Sequence, residues 1–148
     1  MSDMRLVVVG AAGRMGRMLI KAIDQAPGCR LVAAVERPGS PALGADAGPL
    51  AGLPPLGVTV TGDPAAAFAG AEAVLDFTSP EATVAFADLA ADAGILHVVG
   101  TTGLEPSHLA ALAETAKRIP IIRSGNMSLG VNLLAALVRK VAATLGTD

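Results

Sequence analysis

The sequence predicts an α/β fold in which a doubly wound, mostly parallel sheet carries helices on both faces. Two observations favour this class. Short apolar runs alternate with stretches of helical periodicity along all 148 residues, as in sheets whose strands are joined by crossover helices. Several runs are apolar at every position, which is typical of parallel strands buried on both faces. The length favours one domain, 1–148, that can bury a sizeable core.

The first predicted strand, 6–9, leads into a glycine-rich turn with the spacing G-x-x-G-x-x-G. Its glycines are Gly10, Gly13 and Gly16, and helical periodicity follows them. One glycine permits positive φ, a second lets a ligand approach the backbone, and a third lets the helix lie close to the strand. The N–H groups of the first helical turn and the helix dipole favour an anion there. The spacing therefore predicts a phosphate site, with a glycine-rich turn that binds no ligand as the alternative.

A second apolar run, 31–35, ends at Glu36, about twenty residues beyond Gly16, where dinucleotide-binding folds place the acid that binds the adenine ribose. We predict that Glu36 accepts a hydrogen bond from the 2′-hydroxyl of NADH. Arg37, with or without Arg14, is predicted to neutralise the 2′-phosphate of NADPH, so that both cofactors are used. A solvated pair of charges at a strand end is the alternative.

The remaining elements continue the alternation. A long connection rich in proline and glycine, 37–57, is expected to lie over the adenosine end of the cofactor. Further strands are predicted at 58–61, 73–78, 95–99 and 119–122. A brief helix is expected after Asp63 as its cap, and another over 81–93, with Thr78 or Ser79 as cap and Gly94 as its end. Two more helices are predicted from Pro106 and over 129–145.

The carboxyl ends of parallel strands meet at one edge of a sheet, and ligands bind beyond that edge. The loops predicted there are rich in glycine and hydroxyl groups, and they are 10–16, 36–37, 78–79, 100–103 and 124–127. Thr101 and Thr102 are expected to bind a carboxamide or a substrate carboxylate, with capping of the next helix as the alternative. Asn126 is expected to hold its own turn, to face the nicotinamide, or to do both.

Composition and charge exclude several classes of function. The net charge is −2, the basic residues are scattered, and Trp and Tyr are absent, so no surface for binding nucleic acid is expected. No apolar run reaches about 18 residues, so no membrane span is predicted. The single Cys29 favours a reducing, cytoplasmic setting. The spacing of His, Cys and acidic residues predicts no metal site, and His97, as a core residue, and His108, as a surface residue, are not expected to be catalytic.

Five segments, in order along the chain, resemble the 4-hydroxy-tetrahydrodipicolinate reductase family, also called dihydrodipicolinate reductase. They are 10–16 (GAAGRMG), 34–37 (AVER), 76–81 (DFTSPE), 100–103 (GTTG) and 126–132 (NMSLGVN). The resemblance implies a Rossmann-like cofactor domain and an NAD(P)H-dependent oxidoreductase of the diaminopimelate route to lysine. Such an enzyme transfers a hydride from NADH or NADPH to 4-hydroxy-tetrahydrodipicolinate, a small dicarboxylate, giving tetrahydrodipicolinate. A homotetramer is implied for the full-length family member.

By position, the resemblance also assigns roles to residues. It places the pyrophosphate on Gly10, Ala11, Ala12, Gly13, Arg14 and Met15. It places the adenine ribose on Glu36 and Arg37, and the nicotinamide end near Gly100, Thr101 and Thr102. A second loop at the nicotinamide end is implied at Ser124, Gly125, Asn126 and Met127, although many relatives have alanine at the first two of these positions.

The resemblance implies no catalytic residue within this chain. The family's paired-histidine motif, which binds the substrate and supplies the proton, belongs to a second domain, and the helix over 130–148 is expected to lead to it. We therefore expect NADH binding without turnover. The alternatives are a freestanding nucleotide-binding sensor or interaction module with the same pocket, and another two-domain dehydrogenase.

Overall fold

The computed structural model describes residues 2–124 and 127–145, and in this part of the chain the strands form one six-stranded sheet with every pairing parallel. The strands are β1 (Met4–Val9), β2 (Cys29–Val35), β3 (Val60–Thr61), β4 (Ala73–Asp76), β5 (Leu96–Val99) and β6 (Ile121–Arg123). Their order across the sheet is β3-β2-β1-β4-β5-β6. This is the doubly wound order, so the predicted fold class is confirmed.

The helices are α1 (Arg14–Gln25), α2 (Ala47–Leu50), α3 (Pro64–Phe68), α4 (Pro80–Ala93), α5 (Pro106–Thr115) and α6 (Leu129–Leu145). Asp63 caps α3 as predicted, because its side chain accepts from the N–H of Ala66 at 3.0 Å. Of the two candidates for α4, Ser79 is the cap, and Gly94 ends that helix with φ of 68°.

The N-cap of α5 is Glu105, whose backbone N–H donates to Nδ1 of His108 at 3.1 Å. The alternative in which Thr101 or Thr102 caps this helix is therefore wrong. His108 completes the helix start, which gives this histidine a structural role.

Both faces of the sheet are buried, as the apolar strands predict. Val7 and Val9 of β1 pack in one cluster with Phe68 of α3 and residues of α4. The alternate residues Leu6 and Val8 pack in a second cluster, which includes residues of α1 and α2. Successive residues of β1 thus face opposite sides of the sheet, and helices cover the sheet on both sides.

The connection 37–57, which the sequence predicts as a long loop, contains the short helix α2. Asp46 organises it: its carboxylate accepts from the N–H groups of Gly48, Leu56 and Gly57 at 2.8, 2.9 and 2.7 Å. These donors, that of Leu56 foremost, hold the pKa of Asp46 below its ordinary 3.8. The hydrogen bond between Asp46 and Leu56 joins residues ten positions apart. Local periodicity carries no information about such a contact, and the sequence therefore did not predict α2.

The last described helix, α6, is exposed along 129–144. Its bounds agree with the predicted helix at 129–145. Within the described ranges, no helix combines the length and the apolar character needed to cross a membrane.

Candidate functional site: the carboxyl edge of the sheet

One row of residues in register marks where the strands end. Val9 pairs with Val35 on one side and with Asp76 on the other, and Asp76 pairs with Val99. Val99 in turn pairs with Arg123. The residues that follow this row therefore lie side by side, and they are Glu36, Gly10, Phe77, Gly100 and Ser124. The predicted loops meet at one edge of the sheet.

The glycine turn after β1 has the geometry that a phosphate turn requires. Gly10 has φ of 67°, and the N–H of Gly13 donates to the Gly10 carbonyl at 3.0 Å. A Cβ on Gly16 would lie 2.1 Å from that carbonyl oxygen, so the third glycine brings α1 against the turn. Gly13 is the N-cap of α1 and brings no side-chain oxygen to the first-turn N–H groups. Such a helix start accommodates an anion.

The Glu36 carboxylate is hydrogen-bonded to this turn. Its Oε1 accepts from the N–H of Ala12 at 2.9 Å, and its Oε2 accepts from the N–H of Arg37 at 3.1 Å. Each carboxylate oxygen has further acceptor capacity for a ribose hydroxyl. Arg17, which sequence reasoning did not single out, donates from Nε to the Ala12 carbonyl at 2.8 Å. Glu36 and Arg17 thus hold the two peptide groups that flank the α-carbon of Ala12.

A cavity of about 580 Å³ opens beside the turn and Glu36. Its walls come from the glycine turn, the ends of β2 and β3, the loop after β4 and one side of α4. The residues are Gly10, Gly13, Val35, Glu36, Arg37, Pro38, Gly62, Pro64, Phe77, Thr78, Ser79, Ala82, Ala85 and Phe86. Only the start of the 37–57 connection takes part in this lining.

Four predicted site residues line this cavity, namely Gly10, Gly13, Glu36 and Arg37. The wall also includes Phe77, Gly62 and Pro64, which were not predicted as site residues. The available signal was position, because each comes within three residues of the end of β3 or β4. Two further cavities lie at the edge opposite to the one where parallel sheets bind ligands. One, of about 440 Å³, includes the start of β2 in its wall, and the other, of about 400 Å³, includes the starts of β1 and β2.

The loop after β5 lies beside Phe77. A Cβ on Gly100 would come within 2.0 Å of the Phe77 ring, so only glycine allows this contact. The Thr101 side chain is buried, and its hydroxyl accepts from the N–H of Thr78 and from the Thr83 hydroxyl at 3.0 and 2.7 Å. Thr101 would therefore meet a ligand through its backbone, whereas Thr102 is exposed.

The loop after β6 is described in part. Ser124 is half-buried and Met127 is exposed, while the predicted site residues Gly125 and Asn126 lie outside the described residues. Cofactor contacts from this loop stay predictions.

Two further observations concern the histidine, cysteine and acidic residues. His97 is fully buried on β5, as predicted for a core residue. In the described ranges, no three His, Cys, Asp or Glu side chains come together in a way that could hold a metal ion.

The strand order, the glycine turn after β1 and the acid after β2 define a class, the nicotinamide-dinucleotide-binding domains of Rossmann type. Within that class, residues 4–127 match the family described as "Dihydrodipicolinate reductase, N-terminus". The chain belongs to this family.

The similar proteins agree with this membership. The chain is 65% identical over 148 residues to a 4-hydroxy-tetrahydrodipicolinate reductase of Rhizobium meliloti, covering all of this chain and 61% of the relative. A second relative of the same description, from Methylocella silvestris, is 57% identical, and the chain covers 54% of its length. The chain thus spans little more than half the length of the curated relatives that it matches.

A solved structure shares the fold at greater distance. A dipicolinate-bound dihydrodipicolinate reductase from Paenisporosarcina sp. TG-14 superposes with a TM-score of 0.61 at 20% identity. The superposition covers 77% of this chain and 43% of that one.

Proposed function

We propose that this chain is the cofactor-binding part of a 4-hydroxy-tetrahydrodipicolinate reductase that uses NADH and NADPH. The observation that carries the proposal is the bond between Glu36 and the N–H of Ala12, because it puts a ribose-binding acid and a phosphate-binding turn on one cavity. Family membership extends the proposal to the reaction, in which 4-hydroxy-tetrahydrodipicolinate is reduced to tetrahydrodipicolinate in the diaminopimelate route to lysine.

In this proposal the loops divide the dinucleotide among them. The pyrophosphate binds at the start of α1, against the N–H groups of the turn at 10–15. Glu36 accepts from the adenine ribose, and the adenine enters the cavity between Pro38, Pro64 and α4. The nicotinamide extends towards 100–102 and 124–127. A bound NADH or NADPH supplies the hydride, and the role of this chain is to bind and orient that donor.

Substrate binding and protonation are assigned to the part of the relatives that lies beyond the matched segment. The partner of the hydride donor is a small cyclic dicarboxylate, and the full-length protein is proposed to be a homotetramer. The setting proposed is the cytoplasm, since Cys29, the single cysteine, has no intrachain partner for a disulfide.

The proposal is tested by titrating the purified chain with NADH and following nicotinamide fluorescence. We expect saturable binding, and we expect no turnover when 4-hydroxy-tetrahydrodipicolinate is added. Glu36→Ala should weaken NADH binding about tenfold, because the ribose loses a charge-assisted hydrogen bond. Failure to bind either nucleotide would overturn the proposal, and turnover at rates typical of an intact enzyme would overturn the assignment of the proton donor.

The proposal that both NADH and NADPH bind leads to a separate prediction for Arg37, which is exposed beside Glu36. Arg37→Ala should weaken NADPH binding about tenfold and leave NADH binding nearly unchanged, since only NADPH carries a 2′-phosphate for the guanidinium. Arg30→Ala, at the start of β2, is the matched control for lost positive charge. An Arg37→Ala variant that keeps NADPH and loses NADH would contradict this assignment.

A further inference from the structure

Five polar side chains, four of them buried and one half-buried, form a group beneath the carboxyl edge, between β4, β5 and α4. We call this group, Asp76, Thr78, Thr83, His97 and Thr101, the Asp76 cluster. Asp76, Thr83 and His97 are fully buried and Thr101 is 4% exposed. The cluster adjoins the cavity without belonging to it, apart from Thr78.

The hydrogen bonds of the Asp76 cluster converge on one carboxylate. Oδ1 of Asp76 accepts from the Thr78 hydroxyl at 2.6 Å and from the Thr78 N–H at 3.1 Å. The Thr101 hydroxyl donates to the same oxygen at 3.4 Å. Because the Thr83 hydroxyl donates to that of Thr101 at 2.7 Å, every hydroxyl proton has a defined direction towards Asp76.

The second carboxylate oxygen is held from β5. Nε2 of His97 lies 3.1 Å from Oδ2 of Asp76. Nδ1 of His97 is buried and has no hydrogen-bond partner among the described residues. A carboxylate can only accept, so with Asp76 ionised the proton of this hydrogen bond lies on Nε2 of His97.

The Asp76 cluster reaches the glycine turn through Thr78. With its hydroxyl bound to Asp76, the Thr78 methyl group turns towards Gly10, where an added Cβ would lie 2.9 Å from Cγ2. Thr101 belongs to the loop that begins at Gly100, whose N–H donates to the Asp76 carbonyl at 2.8 Å. Asp76 thus connects, through Thr78 and Thr101, the three loops that follow β1, β4 and β5.

Packing alone does not account for this arrangement. Replacing a buried polar group by apolar residues of similar volume is often neutral or stabilising, so burying a carboxylate is a poor way to stabilise a fold. A buried carboxylate that is hydrogen-bonded at both oxygens, as Asp76 is, instead specifies one geometry. Here that geometry is the spacing between loops proposed to bind the pyrophosphate and the nicotinamide.

We propose that Asp76 is a positioning residue for the cofactor, acting through Thr78 and Thr101 to hold the glycine turn and the Gly100 loop at a fixed spacing. This inference rests on the proposed binding of a nicotinamide dinucleotide. Asp76 does not touch the cofactor in this proposal, and its effect is on affinity through the loops.

The test compares NADH dissociation constants at a low temperature at which circular dichroism shows every variant to be folded. Asp76→Asn should weaken NADH binding about tenfold, because the carboxamide offers one acceptor oxygen where the carboxylate offers two. Thr83→Val should weaken binding in the same direction, and Thr83→Ser, which keeps the hydroxyl, should restore it. Thr83 lies outside the cavity lining, so this pair remains informative if Asp76→Asn does not fold.

Thr115→Val is the matched control. The Thr115 hydroxyl is also buried, and its acceptors are the Ala111 carbonyl of α5 at 3.2 Å and Oδ1 of Asp88 on α4 at 3.5 Å, neither of which lines the cavity or belongs to the Asp76 cluster. Its loss should lower stability and leave affinity unchanged. The inference would be overturned if Thr83→Val bound NADH with a dissociation constant within about twofold of this control, and if Asp76→Asn, where it folds, did the same. The proposed function would remain intact in that case. A wild-type chain that binds neither nucleotide would overturn both.

Discussion

Gly100 lies against the ring of Phe77, and the contact makes a prediction at the scale of a single residue. Gly100→Ala would drive a methyl group into the ring, where the built Cβ lies 2.0 to 2.4 Å from three ring atoms. The ring must turn, and because Phe77 lines the cavity, we expect weaker NADH binding and a loss of about 1–3 kcal/mol in the free energy of unfolding. Chemical denaturation and NADH titration measure the two effects.

The double variant Gly100→Ala/Phe77→Ala serves as the control for this overlap. Removing the ring should bring back part of the stability that Gly100→Ala loses. Equal stability and affinity in the Gly100→Ala variant and the wild type would contradict the prediction.

Asp46 makes a second prediction at this scale, on the dependence of stability on pH. Folding lowers the pKa of Asp46 from 3.8 through backbone donors, so its charged form contributes stability at pH values above 3.8. That contribution is lost as the pH falls below 3.8 and through the lowered pKa. Asp46→Asn should therefore be less stable than the wild type at about pH 7, and the difference should shrink at about pH 3.

Urea unfolding at the two pH values measures this difference. Asp24→Asn removes an exposed carboxylate of α1 and should show neither the loss at neutral pH nor the convergence in acid. A difference between Asp46→Asn and the wild type that grew on acidification would contradict the sign of the effect.

At the scale of the element, the position of α1 depends on Gly16. A Cβ there would lie 2.1 Å from the Gly10 carbonyl oxygen and 2.8 Å from Cα of Ala11. Both are backbone atoms that cannot rotate away, so Gly16→Ala must shift α1. We expect a loss of about 1–3 kcal/mol in the free energy of unfolding, together with loss of NADH binding, because the proposed phosphate site moves with the helix.

Gly70→Ala provides the comparison for Gly16→Ala. Nothing lies within 4 Å of a Cβ built at Gly70, which has no positive φ. Its stability and affinity should match those of the wild type. A Gly16→Ala variant that behaved like Gly70→Ala would show that the close approach of α1 is not needed.

At the scale of the whole molecule, α6 stands apart from the core by its exposure. Leu129, Leu134 and Val138 are 85, 61 and 58% exposed, so the described part of the chain buries little apolar surface with this helix. A chain truncated after Ser128 should keep its thermal midpoint within about 2 °C of the full chain and keep its affinity for NADH. A larger fall in the midpoint by differential scanning calorimetry would show that α6 stabilises the domain.

Prediction from the sequence succeeded where the determinants are local. Alternating apolar runs and helical periodicity predicted the sheet, and Asp63, Ser79 and Gly94 act on N–H groups or carbonyls within a few residues of themselves. Prediction failed for α2, because the contacts that hold it bridge a long loop. Prediction from the sequence left two choices open: whether Thr78 or Ser79 caps α4, and which role Thr101 has. Both were decided by Asp76, whose carboxylate accepts from the hydroxyl groups of Thr78 and Thr101.

The sequence by itself determined the fold class, the glycine turn and the acid after β2, because each depends on residue type and on spacing along the chain. Only the tertiary structure decided which side chains share the cavity and which lie beneath it. Phe77 reaches Gly100, and Asp76 reaches His97, across 23 and 21 positions of the chain. Such contacts follow from the order and register of strands in the sheet, and a one-dimensional pattern does not contain that information.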